Sequence, residues 1–232
     1  MAKVFIGVGH GGTDPGAYSG NFVEDDINLV LALAMKAELE RHGVTVGISR
    51  TKDEDDPLQE EIDEANAFKP DLAVECHNNA GGGDGFEVYR QTSTAYGQQS
   101  LRLAQKIETR VKAAGQNSRG IKTKLMSSGA DWFGWLRQVK APAVLCEGFF
   151  VDNVKDRADF ATIANQQALG VAYAHGVLDY LGITVKPTED KPAPSGVMYT
   201  VQVGAFANKQ YADAYAKELQ GKGIQAFVTV KK

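Results

Sequence analysis

The sequence is poor in several residue types, and each shortage excludes a class of protein. It contains only two cysteines and four histidines among its 232 residues, and its formal net charge is −4. Two cysteines cannot supply the disulfide framework of a small secreted domain. A net negative charge gives no broad basic surface, so no nucleic-acid partner is expected.

Long apolar runs are also missing. The apolar run in MAKVFIGVGHGG is shorter than a signal-peptide core, and no small-residue cleavage site follows it. No later stretch is long and apolar enough to cross a bilayer, so no membrane insertion is expected. The sequence therefore predicts synthesis in the cytoplasm without a signal peptide.

The first 183 residues alternate between predicted strands and predicted helices. Strands are predicted at 4–8, 44–49, 71–77, 86–89 and 143–149, and helices at 24–42, 57–68, 98–114, 131–139 and 159–181. This order predicts an α/β fold, an open and mostly parallel sheet with helices on both faces. Such folds bind ligands at the carboxyl ends of their strands.

The composition changes after residue 183. Residues 184–197 are rich in proline and lack apolar periodicity, which predicts an extended linker. Residues 198–232 predict a strand, a helix and a strand, that is, a small C-terminal βαβ unit. We therefore expect a large domain over 1–183, a linker over 184–197 and a small unit over 198–232, which is too short to bury a useful core alone.

Four polar residues at or near the ends of predicted elements suggest a hydrolytic metal site. They are His10, Glu24, His77 and Glu147. Two neutral imidazoles and one carboxylate can hold Zn²⁺ with a position left for water, and a second carboxylate can take the proton of that water. Taken singly, either histidine could be an ordinary polar residue, and Glu24 could be a first-turn carboxylate favoured by the helix dipole.

The cysteines, the other two histidines and the tryptophans are interpreted mainly as structural residues. Cys76 and Cys146 each precede a candidate site residue on a predicted strand, so they should face the core on the opposite side of the sheet. His42 lies at a predicted helix C-terminus and His175 in the middle of a helix. Trp135 is expected in the core, whereas Trp132 is expected to contact a ligand in a groove.

Five segments carry a family resemblance over residues 3–182. They are VGHGGTDPGA (8–17), EDDINL (24–29), ECHNNA (75–80), GFEVY (85–89) and APAVLCEGFFVDN (141–153). In this order they resemble the zinc-dependent N-acetylmuramoyl-L-alanine amidases of the Amidase_3 family. The resemblance implies that His10, Glu24 and His77 bind one Zn²⁺, that Glu147 is the catalytic carboxylate, and that Asn79 positions a ligand histidine or the substrate. Glu61 departs from the family pattern, which commonly has an arginine there.

The resemblance implies a peptidoglycan hydrolase that cleaves the amide between N-acetylmuramic acid and the L-alanine of the stem peptide. Such an enzyme, a phage endolysin or a sporulation or autolytic amidase, would act on the cell wall after lysis or membrane permeabilisation. Two alternatives stay open at this point. One is a zinc peptidase that cuts within the stem peptide, and the other is a non-catalytic peptidoglycan-binding protein.

The C-terminal unit resembles one half of a SPOR domain, a peptidoglycan-binding module, through YTVQVGAF and its strand, helix and strand order. A single half leaves a sheet edge and an apolar face uncovered. We therefore predict that the unit pairs with that of a second molecule, giving a homodimer.

Overall fold

The structure is a computed structural model, and it describes residues 1–187, 209–221 and 228. The chain divides into two compact units, residues 1–186 and 187–232. The strands of the first unit are β1 (Lys3–Val8), β2 (Tyr18–Ser19), β3 (Phe22–Val23), β4 (Thr45–Ile48), β5 (Leu72–Asn79), β6 (Phe86–Arg90), β7 (Ser118–Lys122) and β8 (Ala143–Phe150). Its helices are α1 (Glu24–Arg41), α2 (Leu58–Phe68), α3 (Gly97–Ala113), α4 (Gly134–Gln138), α5 (Val154–Asp159) and α6 (Ile163–Leu181).

Six strands form one sheet in the order β4-β1-β5-β8-β6-β7. The first four of these run parallel to one another. β6 is antiparallel to β8, and β7 is parallel to β6. The predicted open, mostly parallel sheet is confirmed, and the reversed pair at one edge is an addition that the sequence pattern did not indicate.

Alternate residues of the strands supply the two faces of the sheet. Val4, Ile6 and Val8 of β1 join the larger core cluster, with apolar residues of α1, α3 and α6. Phe5 of β1 and Ala143 of β8 lie on the opposite face, in a smaller cluster with residues of α2 and α4. The predicted cover of helices on both faces is therefore confirmed.

The smaller layer leaves the carboxyl ends of the central strands open. On the face of Phe5, the later residues of the central strands include Glu75, His77 and Glu147, and these three line a pocket instead of joining the apolar cluster. On this face, β5 and β8 thus bury apolar side chains near their starts and present polar side chains near their ends.

Three elements differ from the sequence predictions. β7 was not predicted, because SRGIK is a half-exposed edge strand with no apolar alternation. The predicted loop after β1 contains the short antiparallel pair β2 and β3. The helix predicted at 159–181 begins only at Ile163, as α6, because Thr162 caps it by accepting a hydrogen bond from the Asn165 N–H, and the separate short helix α5 lies before it.

The structural interpretations of the cysteines and of the other histidines are confirmed. Cys76 and Cys146 are free, fully buried and paired in register between β5 and β8. His42 Nδ1 donates to the carbonyl oxygen of Glu38 at 2.8 Å, and His175 Nε2 lies 2.8 Å from Oε1 of Glu38. His42 therefore stabilises the C-terminus of α1, His175 links α6 to α1, and both lie away from the pocket.

The second unit is described through its helix, α7 (Lys209–Gly221), which confirms the helix predicted in the tail. The strand predicted at 199–206 lies outside the described residues, and so does the strand predicted at 224–230 apart from Val228. Within residues 1–187 and 209–221, no helix combines the length and the apolar character that a bilayer crossing requires.

Candidate metal centre

The structure brings the four predicted site residues together in one pocket of about 850 Å³. His10 follows the end of β1, Glu24 is the first residue of α1, and His77 and Glu147 lie on the neighbouring strands β5 and β8. One potential ligand atom from each of His10, Glu24 and His77 lies within 4.8 Å of the others. The sequence separates these three residues widely, and the sheet and α1 gather them.

Glu24 is the centre of this group. Its Oε1 lies 3.4 Å from Nε2 of His10 and 2.9 Å from Nδ1 of His77. The same carboxylate accepts hydrogen bonds from the backbone N–H groups of Asn78 at 3.0 Å and Ala17 at 2.8 Å. The carboxylate is therefore held between two backbone donors and two imidazoles.

The loop after β1 fixes His10 in an uncommon conformation. His10 has a φ of 64°, in the left-handed region that residues other than glycine seldom adopt. The buried Arg50 guanidinium donates to the carbonyl oxygens of Val8 at 3.2 Å and Gly9 at 3.3 Å, and Asn28 Nδ2 donates to Gly9 at 2.9 Å. These bonds hold the backbone immediately before His10 and so orient its imidazole towards Glu24.

Gly9 is required because the backbone approaches the second imidazole closely. A Cβ at Gly9 would lie 2.2 Å from Nε2 and from Cε1 of His77. No side chain fits in that space, so glycine lets the backbone that follows β1 pack directly on the ring. The His77 ring is thereby restrained on one side by backbone.

The glutamate and the two histidines of the centre stabilise the charged forms of one another. Burial alone would raise the pKa of Glu24, but hydrogen bonds with His10 and His77 outweigh it and hold that pKa well below its usual range. The bond with Glu24 raises the pKa of His10. For His77, burial lowers the pKa, but the carboxylates of Glu24 and Glu75 outweigh this effect and hold it well above its usual range. The pocket therefore favours positive charge between these residues.

Glu147 lies beside the centre and is not part of the ligand group. It is paired in register with His77 across β5 and β8. Its Oε2 is buried and has no hydrogen-bond partner among the described residues. Burial raises the pKa of Glu147 to about 7. A carboxyl group in this state can both accept and release a proton near neutral pH.

The donor set fits a divalent metal ion. Two imidazole nitrogens and a carboxylate oxygen converge, and the buried Oε2 of Glu147 beside them has no hydrogen-bond partner in the described part of the chain. A cation at this position would satisfy the arrangement of negative groups, which would otherwise be costly to bury. The three residues His10, Glu24 and His77 can together hold such an ion.

Comparison with known families agrees with this geometry. The family model described as N-acetylmuramoyl-L-alanine amidase matches residues 4–179, which includes every residue of the centre. The chain belongs to this amidase family. A second family model, that of the SPOR domain, matches residues 195–232.

Individual relatives agree with the family match. The chain is 33% identical over 234 aligned residues to the sporulation-specific N-acetylmuramoyl-L-alanine amidase of Bacillus subtilis, covering 100% of this chain and 86% of that protein. It is 34% identical to the endolysin of Bacillus phage SPP1, covering 83% of this chain and 73% of the endolysin. The solved catalytic domain of the amidase CwlV from Bacillus (Paenibacillus) polymyxa var. colistinus is 28% identical, with a TM-score of 0.70, and the match covers 79% of this chain and all of that domain.

The two residues predicted to contact substrate lie in different places relative to the pocket of this family member. Asn79 lines it, and its Nδ2 donates to Oε2 of Glu87 at 3.3 Å. Trp132 is 52% exposed and does not line the pocket. The amine of Lys124 lies 4.6 Å from the centroid of its ring. Phe133 and Trp135 line the pocket instead, and Trp135 is also buried in the smaller apolar cluster as predicted.

Two buried carboxyl groups of the pocket were not assigned a role from the sequence. Glu61 stands where the family commonly has arginine, and its Oε1 accepts hydrogen bonds from the Val8 N–H at 2.8 Å and from the Ser49 hydroxyl at 3.2 Å. Glu75 lies two residues before His77. Residues two apart on a strand share a face, and this period could have identified Glu75 as a member of the site.

Proposed function

We propose that the chain hydrolyses the amide bond between N-acetylmuramic acid and the L-alanine that begins the peptidoglycan stem peptide. The observation that carries this proposal is the convergence of His10, Glu24 and His77 beside the buried carboxyl group of Glu147, in a member of the amidase family. The open pocket that contains these residues can admit an extended substrate from solvent.

We further propose that the ion is Zn²⁺, held by His10, Glu24 and His77, one ion per chain. Two histidines and one glutamate are a known ligand set of hydrolytic zinc sites. When bound there, Zn²⁺ would lower the pKa of a water molecule and polarise the scissile carbonyl.

Glu147 acts as the general base and then as the general acid. Its buried Oε2 accepts a proton from the attacking water, and the resulting carboxylic acid donates that proton to the leaving nitrogen of L-alanine. Its raised pKa suits both steps, because the group exchanges a proton without a large free-energy cost near pH 7. Asn79, on the same strand as His77, is proposed to orient the substrate.

Mass spectrometry of peptidoglycan fragments tests the proposed bond. An amidase releases stem peptides with a free L-alanine N-terminus and leaves glycan strands without peptides. Fragments cut within the stem peptide would instead identify the zinc peptidase alternative. An unchanged turbidity of a cell-wall suspension with metal-loaded protein would support a non-catalytic wall-binding protein.

The C-terminal unit is proposed to bind peptidoglycan and to take no part in the chemistry. The first compact unit ends at Lys186, whose N–H donates to Nε2 of His42 at 2.8 Å, and all four site residues lie within it. A truncated protein ending at Lys186 should therefore cleave soluble muropeptides at close to the full-length rate. It should clear intact walls more slowly, because it has lost the wall-binding unit. A large loss of rate on soluble muropeptides would contradict this division of roles.

Pairing of two C-terminal units is proposed as a further role of this segment. The SPOR match covers residues 195–232, and the sequence there predicts a single strand, helix and strand. Sedimentation of the full-length and truncated proteins at matched concentrations tests pairing. We expect only the full-length protein to form dimers, and two strictly monomeric proteins would contradict the proposal.

The protein is proposed to act on the wall after a cell is permeabilised or lysed. Among the relatives, one is named as a sporulation-specific amidase and another as a phage endolysin. Both names are in keeping with a wall hydrolase that acts after release.

A further inference from the structure

We propose that Glu75 is a positioning residue for the metal centre. Its carboxylate holds the His77 ring in the orientation and tautomer that metal binding needs. This inference rests on the proposed function, because it concerns the same site. The observation behind it is that the two nitrogens of His77 have different neighbours. Nδ1 lies 2.9 Å from Oε1 of Glu24, and Nε2 lies 3.3 Å from Oε1 of Glu75.

The two contacts of the ring have different chemical consequences. Nδ1 faces the ligand group, so it must present its lone pair to a bound ion. Nε2 then carries the hydrogen, and Glu75 is the acceptor for it. A carboxylate in that position fixes the tautomer and increases the basicity of the ligand nitrogen. Glu75 would thus act on the ion only through His77.

The surroundings of Glu75 indicate no other structural role for its carboxyl group. Only 3% of its side chain is exposed, and its Oε2 has no hydrogen-bond partner among the described residues. Burying a carboxyl group with so few donors is costly. The neighbouring Glu61 is buried as well, but it accepts from the Val8 N–H and from the Ser49 hydroxyl, so it has an evident structural role.

His10 provides an internal comparison. Its Nε2 faces Glu24, and its Nδ1 lies 2.8 Å from Oδ2 of Asp14, which repeats the arrangement at His77. The Asp14 side chain is 70% exposed, however, so water can replace it as an acceptor. Water cannot easily reach the place of Glu75. We therefore expect the loss of Glu75 to weaken metal binding more than the loss of Asp14.

The test measures Zn²⁺ affinity by competition with a chelator of known affinity, on full-length protein. Glu75→Ala should bind Zn²⁺ about 10- to 100-fold more weakly than the wild type. Glu75→Gln should lie between them, because its amide oxygen can still accept from Nε2 but carries no charge. Asp14→Asn should change the affinity less than either substitution, and Glu61→Gln should change it least.

Two further readouts separate positioning from a merely structural role. Thermal unfolding of the metal-free proteins should show Glu75→Gln folded like the wild type. The ¹⁵N shifts of the His77 imidazole in the Zn²⁺-loaded protein should report a hydrogen on Nε2 in the wild type and a mixed or altered state in Glu75→Gln.

The outcomes are distinguishable from failure of the proposed function. A wild type that binds no Zn²⁺ would overturn the proposed function itself. A wild type that binds Zn²⁺ while Glu75→Ala and Glu75→Gln bind it equally well would overturn only the role of Glu75. The same decrease in affinity for Glu61→Gln as for Glu75→Gln would also overturn it, because Glu61 makes no hydrogen bond to His77 within the described part of the chain and accepts instead from Val8 and Ser49.

Discussion

Replacing His77 by alanine is expected to reduce the zinc content from about one ion per chain to almost none and to abolish wall hydrolysis, because only two ligands would remain. The substitution removes the imidazole whose Nδ1 lies 2.9 Å from Glu24. His10→Ala should have the same effect, and it tests a more exposed position. Metal analysis of the purified proteins and the loss of turbidity of a wall suspension measure the two effects.

His175→Ala is the matched control for these two variants. It removes the same side chain from a site that lies outside the pocket, where His175 contacts Glu38. We expect its zinc content and its hydrolysis rate to match the wild type, with a small decrease in thermal stability. If His77→Ala and His10→Ala retained one tightly bound ion and their activity, the assignment of the metal centre would be wrong.

The parts of the fold that the sequence predicted well are those with the strongest apolar patterns. β1 and β8 are apolar apart from one charged residue each, β5 begins with the apolar run 72–74, and these three strands form the buried centre of the sheet. The reversed direction of β6 could not be predicted in this way. β6 pairs with β8, which comes more than fifty residues later in the chain, and such non-local pairing leaves no local pattern.

The site residues that could be predicted are those whose residue type and position in a predicted element both indicate a metal site. The chain has few histidines, so the two near strand ends could be identified as candidate metal ligands. The glutamate in β8 stands among apolar residues, where burying a charge is costly, so it was expected to have a functional role. The supporting residues were harder to find. Arg50 is buried and holds the backbone around His10, but in the sequence it is only a charged residue after a strand. Its role depends on tertiary contacts.

Glu147→Gln is expected to lower the hydrolysis rate by a factor of about 10² to 10⁴, the usual effect of losing a positioned general base. The substitution preserves the volume of the side chain but removes its capacity to accept a proton. Zinc should stay bound, because Glu147 is not one of the three residues whose ligand atoms converge. Rates on soluble muropeptides and metal analysis of the same sample measure the two properties together.

Cys146→Ala is the control for Glu147→Gln, because it changes the preceding residue of β8, whose side chain is buried in the larger core cluster on the other face of the sheet. It should retain zinc and a hydrolysis rate near that of the wild type, so any general disturbance of the strand would be visible in it. The zinc content of Glu147→Gln decides between two roles for the carboxylate. An inactive protein that keeps its zinc supports a base, whereas an inactive protein that loses its zinc would make Glu147 a ligand. A fully active Glu147→Gln protein would contradict both roles and would require another group in the pocket to accept the proton.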